Sequence, residues 1–564
     1  MRPYINAGPL AAATLKATKL RRERSGQLVL NDISLTVAPG DRIGVVGPNG
    51  VGKTTLLRLL AGLETPDHGR VEISPPGAQV GYLAQERDRR RGESVDAYLR
   101  RRTGTTEVER ALDNAVRRLA DGDMSDDAQT AYAHVLDRFN RLDPGGFEAR
   151  ASETLTDLGS SAALLSAQME NLSGGEAARA GLAAVMLSLF DITLLDEPTN
   201  DLDFEGLELL EQLVLGLPGG LVVVSHDREF LARTVNAVLE LDEHTREAAL
   251  YGGDWASYLQ EKAAVARHKE EAWEKYSQTR QDLRGRAQRE RQWATAGVAR
   301  EKKAAPDKDK VQRDFRVNRT EQLAARARRT EKALDRLEPV EKPWEPWDLR
   351  YSVQLAPRAG TIVASLTDAV VAKGSFRLGP VDLLVEWGAR MAITGPNGSG
   401  KTTLVEAILG RAPLVAGARA LGPSVVAGEL GQDRLAVLIA GAGGGADLLN
   451  NFLQETGLPV SQGRSLLAKF GLGALDINRP IASLSPGERT RAQLATFQAT
   501  GVNFLVLDEP TNHLDLPAIE QLEAALAAYE GALLIVTHDR RLLAGLRVTD
   551  QVEVRDGKVT VRPN

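Results

Sequence analysis

GPNGVGKTTL at residues 47–56 returns almost unchanged as GPNGSGKTTL at residues 395–404. Gly47, Gly52, Lys53 and Thr54, like Gly395, Gly400, Lys401 and Thr402, keep the spacing of a phosphate-binding loop. Glycines there let successive backbone N–H groups turn inward around an anion, and the N-terminus of the following helix favours negative charge. The lysine is placed to reach the β- and γ-phosphates of ATP, and the threonine hydroxyl to ligate Mg²⁺. Pro48, Asn49, Gly50 and Thr55 complete the first loop; Pro396, Asn397, Gly398 and Thr403 complete the second. One such match can be an ordinary glycine turn. Two, each followed by the same further blocks, are not.

Those blocks recur in order. LSGGE at 172–176 returns as LSPGE at 484–488, LLDEPTNDLD at 194–203 as VLDEPTNHLD at 506–515, and VVSHDR at 223–228 as IVTHDR at 535–540. An ordered set of repeated blocks means an internal duplication. The loops lie 348 positions apart and the later blocks 312, so the first copy holds 36 extra residues between its first two blocks. Gln85 and Gln432 are 347 apart, which puts nearly all of the excess between Gln85 and Leu172. There VDAYLRRR, EVERALDNAVRRLA and DAQTAYAHVLDRF predict a small helical excursion over about 93–145. RIGVVG and RMAITG, ITLLDE and FLVLDE, and LVVVSHD and LLIVTHD are short apolar runs of the kind that form buried parallel strands. Alternating with helical segments, they predict α/β domains over residues 1–253 and 346–564.

Residues 254–345 are of another kind. Up to Leu337 they hold one proline, Pro306, and almost no β-branched apolar run. The composition predicts a helical hairpin broken near Gly297 and Pro306, with arms of ~40 residues and so ~60 Å at 1.5 Å per residue. The net charge of the chain is −6, yet residues 258–338 carry 22 Lys+Arg against 14 Asp+Glu. That +8 leaves −14 for the remainder, and a basic segment in an acidic protein points to a polyanionic partner. Arg300, Lys302, Lys303, Lys308 and Lys310 cluster at the expected tip, where they suit phosphate contacts. Interleaved acids equally suit a solvated, self-paired spacer. Trp273, Tyr276 and Trp293 fit helix packing or base stacking. Cysteine is absent, which excludes disulfides and thiolate metal sites, and no apolar run approaches the ~20 residues that cross a bilayer.

Asp196 and Asp508 end apolar runs, where a carboxylate can hold the Mg²⁺ shell. Glu197 and Glu509 follow directly and can polarise an attacking water, because a general base must lie within hydrogen-bond reach of it.

LSGGE and LSPGE resemble the signature motif of ABC ATPases, and His226 and His538 fall where that family's switch histidine lies. The resemblance implies that each ATP site forms between two domains. Lys53 would then face Ser485 and Gly487, and Lys401 would face Ser173, Gly174 and Gly175. It implies a γ-phosphate-sensing role for the histidines, and Mg²⁺ or water contacts for Gln85 and Gln432. EPTNHLD at 509–515, two fused domains, no membrane segment and a charged helical linker narrow the resemblance, over essentially the whole chain, to the ABC-F family. Membership implies a cytoplasmic, monomeric ATPase that binds the ribosome at the tRNA exit site. Its linker would touch ribosomal RNA and the P-site tRNA, and the excursion would meet the ribosome near its L1 stalk. Protection against ribosome-targeting antibiotics and general translation control both fit. The ATPase subunit of a membrane exporter and a DNA-associated ATPase are alternatives from other classes.

Departures from the family pattern are few. Asp201 stands where the second copy has His513, and Pro486 replaces a signature glycine. Arg24 and Ala372 occupy positions where an aromatic often stacks on adenine; Phe376 lies near the second. Stacking alone therefore leaves ATP and GTP undistinguished.

Overall fold

The computed structural model describes residues 13–563 except 77, 85–89, 173, 189, 201, 304–324, 326–328, 331, 339, 341–359, 375, 431–446, 475 and 513. It divides into two compact units, Met1–Trp255 with Leu349–Asn564, and Ala256–Asp348.

In the first unit the amino-terminal copy runs β1 (Thr14–Arg24), β2 (Gln27–Val37), β3 (Arg42–Val46), α1 (Lys53–Leu60), β4 (His68–Ser74) and β5 (Val80–Leu83). Helices α2 (Val95–Arg102), α3 (Thr105–Ala120), α4 (Asp126–Leu142), α5 (Phe147–Asp157) and α6 (Gly174–Leu187) follow. Strand β6 (Ile192–Asp196), α7 (Phe204–Gly216), β7 (Gly220–Val224), α8 (Arg228–Thr234), β8 (Ala237–Leu241) and β9 (Ala248–Gly252) complete it. One sheet is antiparallel, in the order β2–β1–β4; the other is β5–β6–β7–β3–β8–β9, parallel except for β9. Every residue of β6 and β7 is buried, as continuous apolar runs in a sheet covered on both faces require. Leu15, Leu30 and Ile33 of the small sheet meet Leu56 and Leu60 of α1 and Ile43 and Leu194 of the large one in a single core.

The second copy repeats this order. It comprises β10 (Ile362–Lys373), β11 (Phe376–Glu386), β12 (Arg390–Thr394), α10 (Lys401–Leu409), β13 (Leu414–Leu421) and β14 (Ala427–Leu430). Then come α11 (Leu448–Thr456), α12 (Val460–Lys469), α13 (Pro486–Thr500), β15 (Phe504–Asp508), α14 (Leu516–Ala528), β16 (Ala532–Val536), α15 (Arg540–Gly545), β17 (Asp550–Arg555) and β18 (Lys558–Pro563). Its sheets, β11–β10–β13 and β14–β15–β16–β12–β17–β18, match the first pair strand for strand.

The excess length of the first copy is a two-helix hairpin. Helices α2 and α11 both start at a polar cap, Ser94 or Asp447, and α5 corresponds to α12. Between the members of the second pair lies only a tight turn at Gly457, whereas the first copy places α3 and α4 there. The part without a counterpart thus begins at Gly104 rather than near residue 93, because α2 belongs to the shared framework.

Helix α9 (Trp255–Lys303), all but its first residue in the second unit, is one helix of 49 residues, ~73 Å at 1.5 Å per residue. It runs through Gly297 without a break, contrary to the reading of the sequence. A lone glycine costs about 1 kcal/mol relative to alanine, and the alanines and arginines around it offset that. Pro306 and most of the expected second arm lie outside the described residues; residues 329–330 and 332–335 are helical. Trp273 and Tyr276 pack ring to ring at 5.6 Å on one face of α9. The buried carboxylate of Glu290 accepts from the Thr330 hydroxyl at 2.8 Å and from Arg286 at 3.1 Å, which pins the returning chain to α9. Thr330→Val is predicted to destabilise this unit by roughly 1–3 kcal/mol, since it takes a donor from a buried carboxylate. Hydrogen exchange should quicken along the α9 segment around Glu290; unchanged protection would show that the contact carries no weight.

Candidate nucleotide sites

Both phosphate loops have the backbone their glycines allow. Gly395 has φ +142 and Gly400 φ +109. A Cβ on Gly395 would lie 2.0 Å from the Val554 carbonyl oxygen, and one on Gly400 2.6 Å from the Phe376 ring. The loop closes on its own lysine. Lys53 Nζ donates to the carbonyls of Gly47 (2.7 Å) and Pro48 (3.2 Å), and Lys401 Nζ to those of Gly395 (2.8 Å) and Pro396 (3.1 Å). Burial lowers the pKa of both ammonium groups, and carboxylates oppose it: for Lys53 those of Glu197, Asp515 and Asp196, for Lys401 those of Glu509, Asp203 and Asp508.

Two carboxylates stand at the end of each central strand. Thr402 Oγ1 donates to Asp508 Oδ2 at 3.2 Å, and in the first copy the Thr54 hydroxyl stands beside Asp196 and lowers its pKa. Asp196 is 1% exposed, burial raises its pKa, and its Oδ1 has no hydrogen-bond partner. The next residue is left-handed in both copies, Glu197 at φ +51 and Glu509 at φ +46. A glutamate in that region is sparsely populated and strained, and such residues concentrate at functional sites. Each glutamate N–H still donates to the neighbouring strand, Glu197 to the Val224 carbonyl at 2.9 Å and Glu509 to that of Val536 at 2.8 Å. The strand therefore holds the bend. The turn aims each carboxylate at a histidine: Glu197 Oε1 lies 3.0 Å from His226 Nε2, and Glu509 Oε1 3.5 Å from His538 Nε2.

The copies meet head to tail. Asp515 caps α14 through Oδ1 and accepts the Asn49 N–H of the first copy's phosphate loop through Oδ2, at 3.0 Å. Asp203 caps α7 and accepts the Asn397 N–H of the second loop at 3.0 Å. Gly175 packs so closely on that loop that a Cβ there would lie 2.9 Å from Asn397 Cβ. Phe204 places its ring edge on His538, with centroids 5.1 Å apart. A cavity of about 290 Å³ lies between the copies, and His226, Asn397, Glu509 and His538 line it.

The structure thus brings Gly47–Thr55, Asp196, Glu197 and His226 together in one copy and Gly395–Thr403, Asp508, Glu509 and His538 in the other. It sets Gly175 against the second loop. Gly174 starts α6. Ser485 caps α13 in a capping box with Glu488, and a Cβ on Gly487 would lie 3.1 Å from Ala518 Cβ of its own copy. Pro486 occupies the first turn of that helix, where no intrahelical N–H is needed. Gln85, Ser173, Asp201, Gln432 and His513 lie outside the described residues. The sequence reading missed Asp203 and Asp515, whose recurrence at 312 positions was the available signal. It also missed Tyr82, whose hydroxyl donates to Asp196 Oδ2 at 3.1 Å. Burial and that carboxylate push the Tyr82 hydroxyl up to about 12, so it stays protonated and a donor. Phe376 packs against the core as well as on Gly400.

Burial, followed by the charge on Lys401, lowers the His538 pKa from 6.5 to about 4. Between those values the unfolded chain binds a proton here that the folded chain does not, so stability falls as pH falls through that window. His538→Gln removes this titration. Urea unfolding at pH 5 and pH 7 should give a smaller pH difference for the variant than for the parent; equal differences would contradict a neutral His538.

Among the described residues no helix is long and apolar enough to cross a membrane. The ABC transporter family model matches residues 30–200 and 378–512. The tylosin resistance ATP-binding protein TlrC of Streptomyces fradiae is 34% identical, over 95% of this chain and 96% of its own. The energy-dependent translational throttle protein EttA of Mycobacterium tuberculosis is 32% identical, over 93% and 88%. ABC transporter F family member 2 of Arabidopsis thaliana is 28% identical, over 98% and 78%. With two ABC ATPase domains in tandem and relatives of this kind along nearly its full length, the chain belongs to the ABC-F family of ATP-binding, ATP-hydrolysing proteins.

Proposed function

We propose that the chain hydrolyses ATP at two composite sites and uses the resulting opening and closing of its halves to control a stay on the ribosome. The observation that carries the reading is reciprocal: each phosphate loop donates a backbone N–H to an aspartate of the other copy. A nucleotide held by one loop is then enclosed only when the opposite half is in place.

The residues fit ATP with Mg²⁺. Asp196 offers a buried carboxylate oxygen without a hydrogen-bond partner beside a threonine hydroxyl, a hard-oxygen donor set of the kind Mg²⁺ takes. Thr54 with Asp196, and Thr402 with Asp508, would hold the ion, and Gln85 and Gln432 are assigned to its shell or to water. Bound there, the ion would supply neutralisation of charge on the phosphates. Lys53 and Lys401, with the loop amides, bind and orient the phosphate chain. Glu197 and Glu509 orient the attacking water and take its proton, and the strained turn beneath each carboxylate keeps it aimed. His226 and His538, next to those carboxylates, donate toward the γ-phosphate. Ser173, Gly174 and Gly175 close the site of Lys401, and Ser485 and Gly487 that of Lys53.

Names of relatives at 34% and 32% identity speak of tylosin resistance and of translational throttling, which supports a ribosomal target. The +8 excess of residues 258–338 supports a polyanionic partner, and membership of the ABC-F family points to ribosomal RNA and the P-site tRNA, reached from the tRNA exit site in the cytoplasm by a monomer. Target protection against antibiotics is the preferred activity, since TlrC gives the higher identity and the fuller coverage. A general translation factor is the second reading, favoured by the likeness to EttA.

Glu197→Gln with Glu509→Gln is predicted to lower ATP turnover by about 10²-fold or more, the scale of losing a general base. The same protein should sediment with ribosomes in ATP, and sedimentation free of them would overturn the reading. Inhibitory concentrations of macrolides, lincosamides and pleuromutilins, with and without expression of the chain, separate the two activities: a rise identifies target protection, and no change identifies a general factor.

A further inference from the structure

Two residues beyond each switch histidine stands an arginine, Arg228 or Arg540, and both cross to the other copy. Arg228 is 5% exposed, and its guanidinium pairs with Glu523 of α14, with Glu520 at 3.8 Å. Arg540 donates to Glu211 of α7 at 3.0 Å, with Glu208 at 3.8 Å. Glu208 and Glu211 recur as Glu520 and Glu523 after 312 positions, so the contact is made twice, once in each direction.

We propose that Arg228 and Arg540 are positioning residues for hydrolysis, each gripping the helix that delivers the opposite copy's aspartate to its own phosphate loop. The inference rests on the composite-site reading and adds what holds those sites in register. Helix α7 shows the geometry most fully. Asp203, its cap, accepts from the second phosphate loop; Phe204, its first residue, packs on His538; and Glu208 and Glu211, on later turns, hold Arg540. All three contacts go to one composite site, that of Lys401. Arg540 also lies 5.9 Å above the Phe204 ring, joining the two ends of the strut. Helix α14 repeats the arrangement, with Asp515 on the first loop and Glu520 and Glu523 on Arg228. Its first residue is Leu516 in place of Phe204, and Arg540 has a further acid, Glu229, at 4.0 Å. The site of Lys401 is therefore the more heavily braced.

Among the described residues neither arginine makes a hydrogen bond or ion pair with the loops or the paired carboxylates, so its removal acts on alignment. An ångström of misplacement at a reacting centre can cost on the order of 10²-fold in rate. The fold should survive the change, because Glu211 keeps Arg233 at 3.0 Å and the Glu523 side chain is 22% exposed.

The test uses the intact chain and steady-state ATP hydrolysis, with binding of a non-hydrolysable ATP analogue measured in parallel. Arg540→Ala is predicted to lower kcat at least ~10-fold while analogue binding changes by less than about 3-fold, the signature of an interaction made chiefly in the transition state. Arg540→Lys should recover part of the loss. At the other clasp, Arg228→Glu should behave likewise, and adding Glu523→Arg should restore kcat toward the parent value. A kcat within about twofold of the parent in Arg540→Ala would overturn the proposal. So would a charge-swapped protein no faster than Arg228→Glu alone. A parent protein that does not hydrolyse ATP at all would instead contradict the composite-site reading.

Discussion

One hydrogen bond, made twice, organises the first unit: the carboxylate that caps a helix in one copy accepts a backbone N–H from the phosphate loop of the other. A capping aspartate has two oxygens, and here one satisfies its own helix while the second reaches across. Charge-assisted bonds of this sort are short and directional, so they fix register more strictly than apolar packing does. Because the same aspartates also counter the burial of the lysines, the electrostatics of each loop depend on the half that faces it. Separate the halves, and each lysine loses a compensating charge together with its lid.

Much of this was legible in the sequence because the chemistry demands particular residues. Only glycine tolerates the backbone of Gly395 beside the Val554 carbonyl, and a carboxylate at a strand end suits a hard cation, so those positions stand out as motifs. Buried runs such as ITLLD announced the parallel sheet by themselves. What stayed hidden was pairing across the repeat. Asp203, Asp515, Arg228 and Arg540 drew no role from the sequence, because even with sites expected between the copies nothing in a linear sequence shows which side chains will meet across them. Gly297 misled for a different reason: propensity is a weak prior, and a long run of good helix formers carries the chain through one poor one. The start of the excursion was misplaced because α2 looks as polar as the hairpin after it, and only a counterpart in the second copy separates them.

The duplication is close but not symmetric, and the differences gather at the nucleotide. Tyr82 donates to Asp196 in the first copy; the matching strand position in the second is Glu429, which pairs with Arg411. Gly175 lies hard against the opposing loop, whereas Gly487 faces its own copy. Phe204 shields His538 where Leu516 is its repeat. The site built on Lys401 thus has the tighter lid and the neutral, aromatic-packed histidine, and that built on Lys53 has the tyrosine beside its carboxylate.

The most direct measurement of the central claim pairs disabling changes within and across the copies. If each site combines the loop of one copy with the aspartate of the other, Lys53→Ala and Asp515→Ala damage the same site. Together they should then reduce ATP turnover no further than Lys53→Ala alone. Lys53→Ala with Asp203→Ala damages both sites and should abolish turnover. The reverse order, with the Asp515 pair the more severe, would mean that each copy completes its own site and would contradict the account.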